Sequence, residues 1–238
     1  MTPILHLHIP KTGGSSLETL LKREYGDGYV RVPNWRQSTP SVWKPAWGDP
    51  EEMRRRQCIS GHFYFGFWEA LNEVLPSDTE PVFLTFVRHP IDRLLSLYHY
   101  WRTNPNRYSA ALDRMTFAEF VRSDRHDWQF LDNDMVRRIA GVEGVNSKVG
   151  TDDLRRAIDH LGYFPMVGLT DHFDETISRW AELFGWQSID YEHRLGQPER
   201  LQREELGADL VAEIEDRQLF DCALYMYVLA RDWMGWPG

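Results

Sequence analysis

The stretch His8-Ile-Pro-Lys11-Thr12-Gly13-Gly14-Ser15-Ser16-Leu-Glu18 puts one lysine, two glycines and two serines between an apolar run and an apolar helix. Glycines let the backbone curl so that successive N–H groups point into one concavity, and a helix start adds a positive dipole end. Lys11 supplies a full positive charge, and the Ser15 and Ser16 hydroxyls can donate hydrogen bonds. The chemistry is that of a phosphate cradle. The order differs from G-x-x-x-x-G-K-[ST], the loop of nucleoside triphosphatases, because lysine precedes the glycines. A plainer reading is a strand-to-helix turn in which a serine caps the helix.

A second element decides between them. Phe86 to Arg102 reads FVRHPIDRLLSLYHYWR, and Arg88 falls at the C-terminal end of a buried apolar strand. Open α/β sheets bind ligands at that edge. Ser96 follows eight residues later, within the next helix. Arginine offers a planar fork to a phosphate and serine one more donor. Without a ligand, Arg88 would pair with a carboxylate such as Asp92 and Ser96 would pack.

Together, HIPKTGGSS and VRHPIDRLLSLY resemble the 5′-phosphosulfate loop and the 3′-phosphate site of sulfotransferases, in particular the carbohydrate branch of heparan sulfate 2-O- and 6-O-sulfotransferases. His89 stands where that branch has Asp or Glu. LDNDMVRRIAG (131–141), FPMVGLTDHFDETISRW (164–180) and FDCALYMYVLARDW (220–233) are similar to later segments of the branch, in the same order. Its Asn-x-Ser/Thr stretch has no counterpart near EHRLGQPERLQ.

The resemblance implies 3′-phosphoadenosine 5′-phosphosulfate (PAPS) as co-substrate, adenosine 3′,5′-bisphosphate (PAP) as product, and no metal. It implies that Lys11 contacts the bridging oxygen and the 5′-phosphate, that Thr12, Gly13, Gly14, Ser15 and Ser16 hold that phosphate, and that Arg88 and Ser96 hold the 3′-phosphate. The acceptor's proton needs a base. His62, just beyond a short strand in ISGHFYFGFWEAL, is the first candidate, since the unperturbed pKa of histidine suits proton transfer at neutral pH. Glu18 is the alternative, as other branches use a glutamate in the first helix. Asn133 and Arg137, one helical turn apart, are offered as donor or acceptor contacts or as a buried structural pair. Trp35, with Trp43 and Trp47, can stack on a sugar face or simply pack. His6 and His8 alternate along the first strand and share a face, as packing residues do.

These residues need a scaffold. The pattern predicts strands at Ile4 to Ile9, Gln57 to Ser60, Pro81 to Val87 and Met166 to Gly168. Helices are predicted at Ser16 to Glu24, Phe67 to Leu75, Pro90 to about Arg102, 117–123, 133–140, 152–161, 174–184 and 207–232. Residues 26 to 50 read as a loop. Strands alternating with helices predict an α/β, P-loop-like three-layer fold with a mostly parallel central sheet, helices on both sides and a helical C-terminal half. The whole chain, 1–238, reads as one domain.

Composition narrows the partners. The chain has 238 residues, a net charge of −9 and two cysteines, Cys58 and Cys222, both read as buried thiols. An acidic chain is a poor nucleic-acid binder. It also does not favour a highly sulfated polyanion as acceptor. The N-terminus lacks a signal-peptide pattern and no stretch is long enough to span a membrane, so a cytoplasmic protein is expected. The expected activity is sulfuryl transfer from PAPS to an acceptor hydroxyl, with a saccharide foremost. The rivals are a P-loop-type nucleotide kinase and a non-catalytic nucleotide-binding relative.

Overall fold

The computed structural model describes residues 3–32, 55–66, 80–104, 108–123, 131–142, 147–191 and 201–233. Its centre is β1 (Ile4–Leu7), buried throughout. β1 is flanked by β3 (Cys58–Gly61) and β4 (Val82–Leu84), and β3 carries β2 (Tyr29–Val32) outside it, in the order β2-β3-β1-β4. All three pairings are parallel, and a two-stranded parallel pair joins β5 (Phe86–Val87) to β6 (Gly168–Leu169). β2 lies inside the stretch expected to be loop. Its Tyr-Val-Arg-Val alternates as an edge strand does, a signal four residues long among glycines and prolines.

The period of two along β1 sorts the core into two layers. On one face Ile4, Cys58, Leu84 and Phe86 pack under α1 (Gly14–Tyr25) through Leu17, Leu20 and Leu21, and under α7 (Phe173–Phe184) through Ile177 and Trp180. On the other, Leu5, Leu7, Ile9, Ile59 and Phe83 pack against α5 (Asp134–Ala140), α6 (Thr151–His160) and α9 (Leu219–Trp233). A third cluster gathers α2 (Pro90–Thr103), α3 (Ser109–Leu112), α4 (Phe117–Val121) and α8 (Ala208–Arg217). The helix expected at 67–75 lies outside the described residues.

Two expected elements are split. The apolar run at 81–87 breaks at Thr85, whose hydroxyl donates to the Leu7 carbonyl at 2.8 Å while its own carbonyl accepts from Gly168 N–H at 2.9 Å. The chain thereby changes partner from β1 to β6 at one residue. The helix expected at 207–232 breaks at Gln218, where the chain meets the start of α5. Asn133 Oδ1 accepts the N–H groups of Phe220 and Asp221 at 3.0 and 2.9 Å, capping α9. The Asp221 carboxylate accepts the N–H groups of Met135 and Val136 at 3.2 and 2.8 Å, capping α5. Each helix end supplies the acceptor that the other lacks. Of the two cysteines, Cys58 is buried and Cys222 only half-buried.

Because Asn133 and Asp221 serve each other's helices, Asn133→Ala is expected to lower folding stability by about 1–2 kcal/mol. In a double-mutant cycle with Asp221→Ala the two losses should be non-additive. Urea denaturation of the four proteins checks this.

Candidate active site

The ends of β1, β3 and β5 converge on the loop between β1 and α1. Lys11 (φ 71°) and Gly13 (φ 93°) both occupy left-handed backbone in this loop. Such alternation turns successive amides to one side. Only glycine takes this conformation without strain, and a Cβ at Gly13 would press on the Phe173 ring at 3.1 Å. Gly14 is required for a different reason: a Cβ there would overlap the His8 imidazole. No side chain caps α1 and its first turn holds no acid, so its opening amides and dipole face the loop. Ser15 is exposed and Ser16 half-buried at this end.

Lys11 Nζ lies 4.1 Å from the centre of the Tyr100 ring on α2. Ser96 sits one turn before Tyr100, on the same face of that helix. Arg88 leaves β5 and donates through Nη1 to the Lys11 carbonyl at 3.3 Å. Asp92, the carboxylate that offered Arg88 a partner, instead pairs with Arg203 at 3.4 Å. Thr12 turns inward: its hydroxyl donates to the Ile9 carbonyl at 2.9 Å, and its carbonyl accepts from Thr170 at 2.8 Å. Arg88 and Tyr100 thus meet the loop of residues 11–16, and Ser96 lies one turn from Tyr100. Thr12 offers the site its backbone, not its hydroxyl.

His62 follows β3. Its Nδ1–H donates to the His8 carbonyl at 2.7 Å, since a carbonyl can only accept. The neutral ring therefore carries its lone pair on Nε2. Burial pushes the His62 pKa down to about 3, and neighbouring His8 and the Arg138 charge push the same way. Arg138 Nη1 donates to the His62 carbonyl at 3.1 Å and its guanidinium lies 5.3 Å from the Tyr64 ring.

Glu18 is held by three donors. His8 Nδ1–H at 3.2 Å, Ser60 Oγ–H at 3.0 Å and Arg31 Nε–H at 3.0 Å all reach its Oε1. Ser60 Oγ, its proton committed to Glu18, accepts from His6 Nδ1 at 2.8 Å. Sheet register builds this row, because Arg31, Ser60 and His6 are aligned neighbours across β2, β3 and β1. Burial pushes the Glu18 carboxyl up, but the His8 hydrogen bond and the charges of His8 and Arg31 outweigh it and hold the carboxyl at about 2.

Asn133 and Arg137 are engaged elsewhere. Asn133 caps α9 and also donates to the Asp132 carboxylate and the Arg217 carbonyl at 3.1 and 3.2 Å. Arg137, buried, donates to the Asp132 carboxylate and the Ser147 carbonyl at 2.7 and 2.6 Å. Trp35, Trp43 and Trp47 lie outside the described residues. The residues that sequence reasoning missed are Ser60, Arg31 and Arg138, with the site role of His6 and His8. The alternation in HLH was their one visible signal. Among the described residues, no cluster of three or more His, Cys, Asp or Glu side chains is placed to hold a metal ion. None of the helices described is long and apolar enough to cross a membrane.

The profile of the sulfotransferase family matches residues 2–148, a span holding the loop, His62, Arg88 and Ser96. The chain belongs to the sulfotransferase family. An archaeal relative, an uncharacterized protein of Archaeoglobus fulgidus, is 25% identical over 190 residues, covering 75% of this chain and 72% of that one. A sulfotransferase from Alicyclobacillus acidocaldarius shares the fold, with a TM-score of 0.55 at 15% identity over 98% of this chain and 97% of that one. Mouse sulfotransferase SULT7A1, solved in complex with PAP, aligns with a TM-score of 0.49 at 19% identity over 79% of this chain. This chain spans 60% of the length of the mouse protein. Family membership sets aside the P-loop kinase reading.

His6, His8 and His62 all have pKa values lowered by burial, His6 well below its usual value. Below pH 6.5 the unfolded chain binds protons that the native sulfotransferase fold refuses. Stability should therefore fall as pH drops from about 6.5, by about 1.4 kcal/mol per pH unit for each histidine kept neutral. The depressed Glu18 carboxyl adds to the loss below its unfolded value of 4.5. Urea midpoints at pH 7.5 and pH 5.5 test the sign: the account requires the lower midpoint at pH 5.5.

Proposed function

We propose that this chain transfers the sulfuryl group of PAPS to a hydroxyl on a saccharide acceptor, as a relative of the heparan sulfate 2-O- and 6-O-sulfotransferase branch, with residues 1–238 acting as one domain. The carrying observation is the orientation of His62. Its Nδ1–H is committed to the His8 carbonyl, which leaves Nε2 to accept a proton beside the phosphate loop. Glu18, with three donors gathered on Oε1 and its carboxyl held at about 2, has its charged form stabilised and is the second choice as proton acceptor.

PAPS supplies the sulfuryl group and the leaving phosphate. His62 Nε2 takes the acceptor's proton as the acceptor oxygen bonds to sulfur. The bond from sulfur to the bridging oxygen breaks, and its electron pair stays with the departing PAP. Lys11 neutralises the charge that grows on that oxygen, which is charge stabilisation by a group already in place. The amides of residues 12–16 and the serine hydroxyls hold the 5′-phosphate, and Arg88 and Ser96 hold the 3′-phosphate. In the free protein His62 is too weakly basic for efficient proton transfer. An anionic donor bound beside it raises its pKa toward the working range.

Thermal shift against PAP, and against ATP with and without Mg²⁺, tests the donor. PAP should stabilise, and stabilisation by ATP-Mg²⁺ alone would contradict the proposal. A screen of saccharide acceptors with labelled donor, read by product mass, tests the rest. His62→Ala should lower transfer about 10²- to 10⁴-fold while keeping PAP stabilisation, and Lys11→Ala should lower both. Unimpaired transfer by His62→Ala would remove the base assignment.

A further inference from the structure

Two buried histidines, His6 in β1 and His8 just past its end, lie beside the site, and His8 stands where three parts of it meet. Its ring is 4.2 Å from that of His62 and 5.2 Å from that of His6, the latter pair stacked at 15°. Its Cδ2–Nε2 edge fills the space in which Gly14 has no side chain, so the ring abuts the first turn of the phosphate-loop helix. Its carbonyl takes the His62 Nδ1–H. Its own Nδ1–H is directed at Glu18 Oε1, where Ser60 and Arg31 also donate. An ionised carboxylate only accepts, so His8 holds its proton on Nδ1 and its lone pair on Nε2.

We propose that Glu18 and His8 form a positioning pair: the Glu18 carboxylate fixes the ring of His8, and that ring fixes the attitude of the His62 ring packed against it, while the main-chain carbonyl of His8 sets the His62 tautomer. This inference rests on His62 being the base and goes beyond it by naming what aims it. The pair passes no proton to His62, because the bond between the two histidines ends on a main-chain oxygen. It acts as the orienting group of a catalytic constellation does, by holding one ring angle. It also ties base to donor, since the ring that supports His62 is the ring that Gly14 packs upon.

The test needs no acceptor. Histidine side-chain ¹H–¹⁵N spectra of the full chain saturated with PAP should show His62 and His8 each with a protonated Nδ1 and a bare Nε2. In Glu18→Gln, which keeps shape and loses charge, the His62 ring signals should shift and broaden as the ring loses its one attitude, while Nδ1 stays protonated. Should that variant fail to fold, His8→Asn, which keeps an N–H toward Glu18 and removes the ring, must give the same change. An unchanged His62 spectrum in the folded variant, or His8 protonated on Nε2 in the native chain, would overturn the pair. With a saccharide acceptor, Glu18→Gln should lower kcat about 10- to 100-fold while leaving the KM for PAPS nearly unchanged. It should have no further effect in a His62→Ala background. If Glu18→Gln abolishes transfer while His62→Ala retains it, Glu18 is itself the base and both readings fall. If His62→Ala retains transfer but the change in the His62 ring signals is seen in Glu18→Gln, only the base assignment falls.

Discussion

One crowded residue, His8, sets the terms for this site. Its imidazole leaves no room for a side chain at Gly14, its carbonyl holds His62, and its Nδ1–H requires an acceptor inside a parallel sheet. A buried donor without a partner is costly, and a buried carboxylate without donors costs more. Glu18 and His8 solve each other's problem, with Ser60 and Arg31 completing the set. The result is a polar row across β2, β3 and β1, next to the row of Tyr29, Cys58 and Ile4 on the same face.

A second buried charge group reaches His62 from the opposite side. Asp134, fully buried at the start of α5, pairs with Arg138 at 3.1 Å and with Arg93 of α2 at 3.5 Å. Arg138 in turn donates to the His62 carbonyl. His62 is therefore gripped twice: through its ring by the His8 carbonyl just past β1, and through its backbone by Arg138 of α5. The helix that carries Arg93 also carries Ser96 and Tyr100. Removing one member of such a group strands the others in a medium that cannot solvate them.

Much of this was legible in the sequence. Apolar runs and punctuating glycines and prolines located β1, β3, α1 and α2 to within a few residues, because those signals are local. The phosphate-cradle pattern and the spacing of Arg88 and Ser96 could be read as candidates because phosphate binding needs particular residue types at fixed chain spacing. What escaped depends on long-range register. Nothing local says that Arg31, Ser60 and His6 stand side by side, or that Thr85 changes strand partner. The break at Gln218 escaped because the acceptor that starts α9 there is Asn133 Oδ1, far away in sequence. Asn133 and Arg137 carry site-like residue types, yet the fold uses both internally. Polarity at helical spacing could not separate a cap from a ligand.

The account stands on a nucleotide gripped at two separate phosphates, one at the glycine loop and one at Arg88 and Ser96. Titration calorimetry of PAP and of adenosine 5′-phosphate, against the native chain and Arg88→Ala, addresses it most directly. The native chain should bind PAP more tightly by about 1.5–3 kcal/mol, the worth of hydrogen bonds to a charged group, and Arg88→Ala should erase that preference while still binding adenosine 5′-phosphate. Equal affinity of the native chain for the two nucleotides would contradict it.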